Sequence, residues 1–94
     1  MFFWDEAKNR TNQQKHGVSF EAASLVFDDP LQVSRIERVV DGEERWQTIG
    51  VAEGIVLLLV VHTWPEETEG EESIRIISAR KASREERELY EEGI

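Results

Sequence analysis

The 94-residue sequence contains no cysteine, which excludes a disulfide framework and any thiolate metal site. It has only two histidines, His16 and His62. A zinc site would therefore need carboxylates brought in by tertiary structure alone, and no metal or cofactor is expected. Long apolar runs are also missing. The longest, Ile55 to Val61, has seven residues, against roughly 20 for a helix that crosses a bilayer. The N-terminus turns acidic at Asp5-Glu6, where a secretory signal would be basic and then apolar, so the expected location is the cytoplasm with no membrane association. Walker A, GxGxxG and His-Glu-x-x-His patterns are absent, as are repeats and low-complexity tracts. One continuous domain over residues 1–94 is expected.

Positive charge is scarce as well. Eleven Lys and Arg face twenty Asp and Glu, a formal net charge of −9, and nucleic-acid binding normally needs a positive surface. The negative charge is nevertheless concentrated: Glu66, Glu67, Glu69, Glu71 and Glu72 lie in one segment, and Glu88, Glu91 and Glu92 in the tail. The stretch Ser73 to Arg87 carries a net +3 through Arg75, Arg80, Lys81, Arg84 and Arg87. A local basic face on an acidic protein is compatible with this distribution.

What is present reads as β-α-α-β-β-β-β-α. A short strand at Phe2–Trp4 leads to Asp5 as helix N-cap, and Gly17 stops a helix over about 6–15. Lys8, Asn12 and His16 are spaced to share one face of it, with Lys15 alongside. Ser19 caps a second helix whose buried face is Phe20, Ala23 and Phe27, ended by Asp28-Asp29-Pro30. Strands are expected at Gln32–Val39, Arg45–Val51, Ile55–Thr63 and Ser73–Ala79, with turns at Asp41-Gly42 and Glu53-Gly54. Ser83 with Glu86 matches a capping box opening a helix over Arg84–Glu92, with Leu89 and Tyr90 inward. Helices segregated from an antiparallel meander predict an α+β domain with its helices on one sheet face. The apolar run predicts a central strand buried on both sides, the second side covered by another element, for which a partner chain is one candidate.

Three blocks of sequence carry a resemblance. They are Phe3-Trp4-Asp5-Glu6-x-Lys8-x-x-x-Asn12-x-x-Lys15-His16-Gly17-x-Ser19-Phe20-Glu21-Ala22-Ala23, then Val26-Phe27-Asp28-Asp29-Pro30, and later Ile76-Ile77-Ser78-Ala79-Arg80-Lys81-Ala82. Glu44-Arg45-Trp46, Ile49-Gly50 and Val60-Val61-His62-Thr63 fall between them. In order and spacing these blocks resemble the toxins of BrnT/BrnA-type bacterial toxin–antitoxin pairs. The departure is Trp64 to Glu72, acidic where the family tends to have a short turn.

The resemblance implies a RelE-like fold: an antiparallel sheet of four to five strands, two N-terminal helices and one C-terminal helix. It also implies metal-independent RNA cleavage that inhibits translation. Such chemistry requires a group to take the ribose 2′-OH proton, cations for the developing phosphorane charge and an acid for the leaving oxygen. His, Lys and Arg side chains suit these tasks. On this basis Arg80 and Lys81 at the end of the last strand, with Arg45 on a neighbouring strand, are expected to form a cationic cluster on the sheet. His16 at the end of the first helix would complete it, and Lys8, Lys15 and Arg75 would contact RNA. The implied partners are the RNA substrate and a BrnA-like antitoxin, with operator DNA reached only through the antitoxin complex.

Plainer roles are open for several of these residues. His16 next to Gly17 can simply satisfy helix-terminal carbonyls, and His62 in an apolar strand reads as a hydrogen-bonded structural residue. Trp4 reads as core, while Trp46 and Trp64 suit a core, a partner interface or a stacked base. Arg84 and Arg87 suit a solvated helix face paired with Glu88 and Glu91, and the acidic run suits a solvated loop. The competing function is a noncatalytic interaction module, a degenerate toxin homologue that only binds its partner.

Overall fold

Residues 1–54, 56–64 and 73–93 are described by a computed structural model. The acidic run 66–72 and Ile55 lie outside them. Asp5 caps the first helix as expected: its Oδ1 accepts the Ala7 and Lys8 N–H groups at 2.9 and 3.4 Å. Helix α1 (Glu6–His16) ends at Gly17 in the left-handed region, φ 70°, where the Gly17 N–H reaches the Gln13 carbonyl. Ser19 caps α2 (Phe20–Ser24) through the Ala22 N–H, but this helix runs directly into a 3-10 turn, Leu25–Asp28. The tighter winding changes which side chain points inward. Val26 is buried in place of Phe27, so the inner face is Phe20, Ala23 and Val26.

Together with β1 (Phe2–Phe3), strands β2 (Val33–Val40), β3 (Glu43–Ala52), β4 (Val56–His62) and β5 (Ile74–Lys81) form one sheet in the order β1-β5-β4-β3-β2. Pairs from β2 to β5 are antiparallel, and β1 adds in parallel to β5. Helix α3 (Arg84–Glu92) closes the chain with the expected Ser83/Glu86 capping box. Along β4 successive side chains serve different cores, as the period of two requires. Leu58 and Val60 pack with Phe20, Ala23, Val26, Ile76 and Ala79 under α1 and α2. Leu57 and Leu59 pack with Ile49, Leu89 and Tyr90. The expectation of helices on one face is therefore corrected. Helix α3 crosses to the opposite face, and its Leu89 and Tyr90 supply there, within the same chain, the second cover that the apolar run demanded.

Two side chains finish the sheet where strands stop short. β1 pairs only with the start of β5, leaving the Ala79 peptide edge open. Asn12 occupies it: its Nδ2 donates to the Ala79 and Val18 carbonyls at 2.8 Å each, and its Oδ1 accepts from the Ala79 N–H at 3.2 Å. On the other side of the sheet β2 begins opposite Ile49, and Asp29 accepts from the Val51 N–H at 2.8 Å just beyond it. Asp29 also receives the Tyr90 hydroxyl at 2.6 Å, which ties α3 to the far edge. Helix α1 has few apolar residues because amides anchor it. Asn9 is fully buried, donates to Glu6 and Glu21, and accepts from the Phe20 N–H.

Candidate active site

The sheet register sorts the predicted cations onto two sides. Arg45 and Gln47 share the α3-side face with Ile49, and Arg35 and Arg38 lie opposite Gln47 and Arg45 on that same face. On β5, Arg80 pairs with Leu59 and therefore also points to this face, whereas Lys81 pairs with Leu58 and points to the other. Arg75 bonds Glu43, which shares the parity of Arg45. Five arginines, 35, 38, 45, 75 and 80, thus lie on this face, Arg80 against α3. Lys8, Lys15 and His16 ride on α1, across the sheet. Lys81 lines a 370 Å³ cleft there with Gln13, Gly17, Ser19 and Glu53. The single cluster of His16 and Lys81 with Arg45 and Arg80 is not formed, because neighbouring strand residues project oppositely and α1 packs on the α2 side. Arg45 and Arg80 are also not on adjacent strands, since β4 lies between β3 and β5.

Arg80 is held more firmly than any other cation here. Its two terminal nitrogens donate to both Glu86 carboxylate oxygens at 2.7 and 2.8 Å, a bidentate geometry suited to a guanidinium. Glu86 is nearly buried, its side chain 9% exposed against 41% for Arg80. The Arg80 bonds pull the Glu86 carboxyl down to about 2, against burial, and the Ser83 backbone N–H assists. Glu86 in turn raises the Arg80 guanidinium further above its ordinary range, and Glu37 adds to this by charge. Arg45 is bonded differently: its Nε is buried and has no hydrogen-bond partner among the described residues.

A small polar network extends the face toward the sheet edge. Arg35 Nε donates to Gln47 Oε1 at 2.9 Å, Gln47 Nε2 donates to Glu37 Oε2 at 3.0 Å, and Arg38 lies 3.4 Å from Glu37 Oε1. The sequence reading missed Arg35, Glu37, Arg38 and Gln47; the register shift between Ile36 and Arg38 places Arg38 on this face against simple alternation. Glu86 was legible as a helix cap but not as the partner of Arg80.

The structural reading of His62 is the one observed. It is fully buried, its Nδ1 donates to the Thr63 carbonyl at 3.1 Å, and its Nε2 lies 2.6 Å from the Thr48 hydroxyl, which meets Ser34 at 2.7 Å. A neutral ring protonated at Nδ1 satisfies both contacts. Burial lowers its pKa to about 4, against the raising effect of the Thr63 bond. Phe27 and Trp64 pack edge-on against this ring, and Trp46 packs against Trp64. These tryptophans belong to an aromatic cluster on the α1/α2 side, away from the arginines, and Trp4 packs on Phe20. The Arg84–Glu88 pair forms at 3.9 Å on an exposed helix face. Among the described residues no group of three His, Asp or Glu is placed to hold a metal ion, and no helix is long and apolar enough to cross a membrane.

The fold is thus an α+β domain with a half-covered sheet face rich in arginine. A family model described as the ribonuclease toxin BrnT of type II toxin–antitoxin systems matches residues 4–86, and the chain belongs to this family. The crystal structure of the Brucella abortus ribonuclease toxin BrnT is similar at 26% sequence identity and a TM-score of 0.59, over 89% of this chain and 99% of that one. No curated protein matches the sequence. Membership in a type II toxin family implies an antitoxin partner for this chain.

Proposed function

We propose that this chain is a cytoplasmic, metal-independent endoribonuclease that arrests translation, with its reacting phosphate held on the α3-side sheet face. The observation that carries this reading is the gathering of Arg35, Arg38, Arg45, Arg75 and Arg80 on one face of a chain whose net charge is −9. Arginine suits this task because its planar fork can grip two phosphate oxygens as charge builds in the transition state. Arg45 and Arg80 are the cations proposed for the reacting phosphate and Arg75 for a neighbouring one. Lys8, Lys15, His16 and Lys81, across the sheet, are in this reading contacts for flanking RNA. A BrnA-like antitoxin neutralises the toxin by covering the arginine face, and the complex reaches operator DNA through the antitoxin.

The test is cleavage of a defined single-stranded RNA by purified protein in EDTA, repeated on ribosome-bound message. Wild type is expected to cleave, and Arg45→Ala to lose at least ~100-fold in rate, the usual size for one lost electrostatic donor, while remaining folded. A folded wild-type protein that cleaves neither substrate but still binds its antitoxin would be an interaction module, and the ribonuclease reading would be wrong.

A further inference from the structure

Resting on the ribonuclease reading, we infer that Glu37 is the proton acceptor for the attacking 2′-hydroxyl. The arginines of the face supply positive charge but no base, and both histidines are placed elsewhere: His62 is sealed under the aromatic cluster and His16 stands on α1. Among the described residues, three carboxylates share the arginine face. Glu86 is nearly buried and accepts from Arg80 on both oxygens and from the Ser83 N–H on one. Glu43 stands beside the β2–β3 turn and accepts a charge-assisted hydrogen bond from Arg75, where Glu37 has only the 3.4 Å approach of Arg38. Glu37 remains, its side chain 24% exposed, with one contact to each oxygen, from Gln47 and Arg38. A carboxylate offers about four acceptor positions, so half of its capacity is open. The Tyr90 hydroxyl is engaged as donor to Asp29.

The local backbone supports the same assignment. Regular alternation from Arg35 would send Arg38 to the aromatic side of the sheet. The extra residue in β2 instead sets Arg38 opposite Arg45, so Glu37, bonded to Gln47, and Arg38 stand side by side on the arginine face. A bulge gives up ladder hydrogen bonds, and its frequent use is to re-aim side chains beside a site. Here it builds an Arg35–Glu37–Arg38 group whose carboxylate is near enough to act on Arg80 by charge.

In the step so assigned, Glu37 takes the proton from the 2′-hydroxyl as its oxygen bonds to phosphorus. The P–O5′ bond breaks with its electron pair going to O5′, which takes a proton from solvent. The products are a 2′,3′-cyclic phosphate and a 5′-hydroxyl, and the arginines hold the nonbridging oxygens throughout.

The experiment measures wild type, Glu37→Gln and Glu37→Asp on the same RNA in EDTA, with a 2′-O-methyl oligonucleotide of that sequence as a binding probe. Glutamine keeps an acceptor for Gln47, so the fold is retained and checked by thermal melting. Expected for Glu37→Gln is a kcat lower by about 100-fold or more with a probe Kd within threefold of wild type. Glu37→Asp keeps the carboxylate and recovers part of the rate. Cleavage by Glu37→Gln within threefold of wild type overturns the assignment while leaving the ribonuclease reading intact. So does a rate loss matched by equal loss of probe binding, which would mark Glu37 as a contact only. A folded wild type that cleaves neither free nor ribosome-bound RNA removes both.

Discussion

Replacing Arg80 with alanine tests the site and the fold together, and the two effects have to be separated. The substitution removes two charge-assisted bonds of 2.7 and 2.8 Å and leaves the Glu86 carboxylate, 9% exposed, with the Ser83 backbone N–H as its remaining donor. Breaking a fully buried ion pair costs about 3–5 kcal/mol. Because Arg80 is 41% exposed, truncating it opens a path for water to the carboxylate, and the expected cost falls to about 2–3 kcal/mol. Glu86→Ala should cost less, about 1–2 kcal/mol, since the stranded guanidinium hydrates easily. The double variant should reveal a coupling of about 1–2 kcal/mol in a double-mutant cycle. Urea unfolding at pH 7 followed by tryptophan fluorescence measures all four proteins. A cost below about 1 kcal/mol for Arg80→Ala, or no measurable coupling, would show that the pair does not anchor α3. With total stability of about 5–15 kcal/mol for a small domain, activity of Arg80→Ala is meaningful only at a temperature where the variant remains folded.

Three further outcomes follow from the buried polar groups and the packing. His62, with its folded pKa near 4 against 6.5 unfolded, binds its proton mainly in the unfolded chain between those values. Its stabilising contribution is complete above pH 6.5 and shrinks by up to about 3 kcal/mol on acidification to pH 4; a stability–pH curve equally steep in His62→Gln would refute this. Asn12→Asp turns two donated bonds into a carboxylate facing the Val18 and Ala79 carbonyls, and a loss of about 3 kcal/mol or more is expected in urea unfolding. Gly50→Ala places a methyl 2.7 Å from Val26 Cγ1 and 3.1 Å from the Val26 carbonyl, so the 3-10 turn must shift. A melting experiment should report about 1–3 kcal/mol of destabilisation, and an unchanged melting temperature would mean that the turn yields freely.

Local features were legible at nearly every element. Asp5, Ser19 and Ser83 act as caps and Gly17 as a helix stop because such contacts span only two to four residues. The Asp41-Gly42 and Glu53-Gly54 turns carry positive φ at both residues, as tight hairpins require. Where the reading failed, a distant partner intervened. The inward turn of Val26 follows from packing beneath Gly50, and the scarcity of apolar residues in α1 is offset by amide bonds from Asn9 and Asn12 to segments far along the chain.

The candidate site divides in the same way. Arg45, Arg75 and Arg80, and the family to which the motifs around them point, could be read from order and spacing, whereas Arg35 and Arg38 could not. Nor could their sorting. Arg80 and Lys81 are adjacent in sequence, yet strand pleating sends one to the arginine face and the other to the α1 side. One extra residue in β2 places Glu37 and Arg38 on the same face, and sequence alternation gives no sign of it. By itself the sequence determined the elements, their order and the family, since caps, turns and hydrophobic period act over a few residues. Which cations meet, which carboxylate stays available and what covers the second sheet face were decided by tertiary structure, because these depend on strand register and on the side to which α3 crosses.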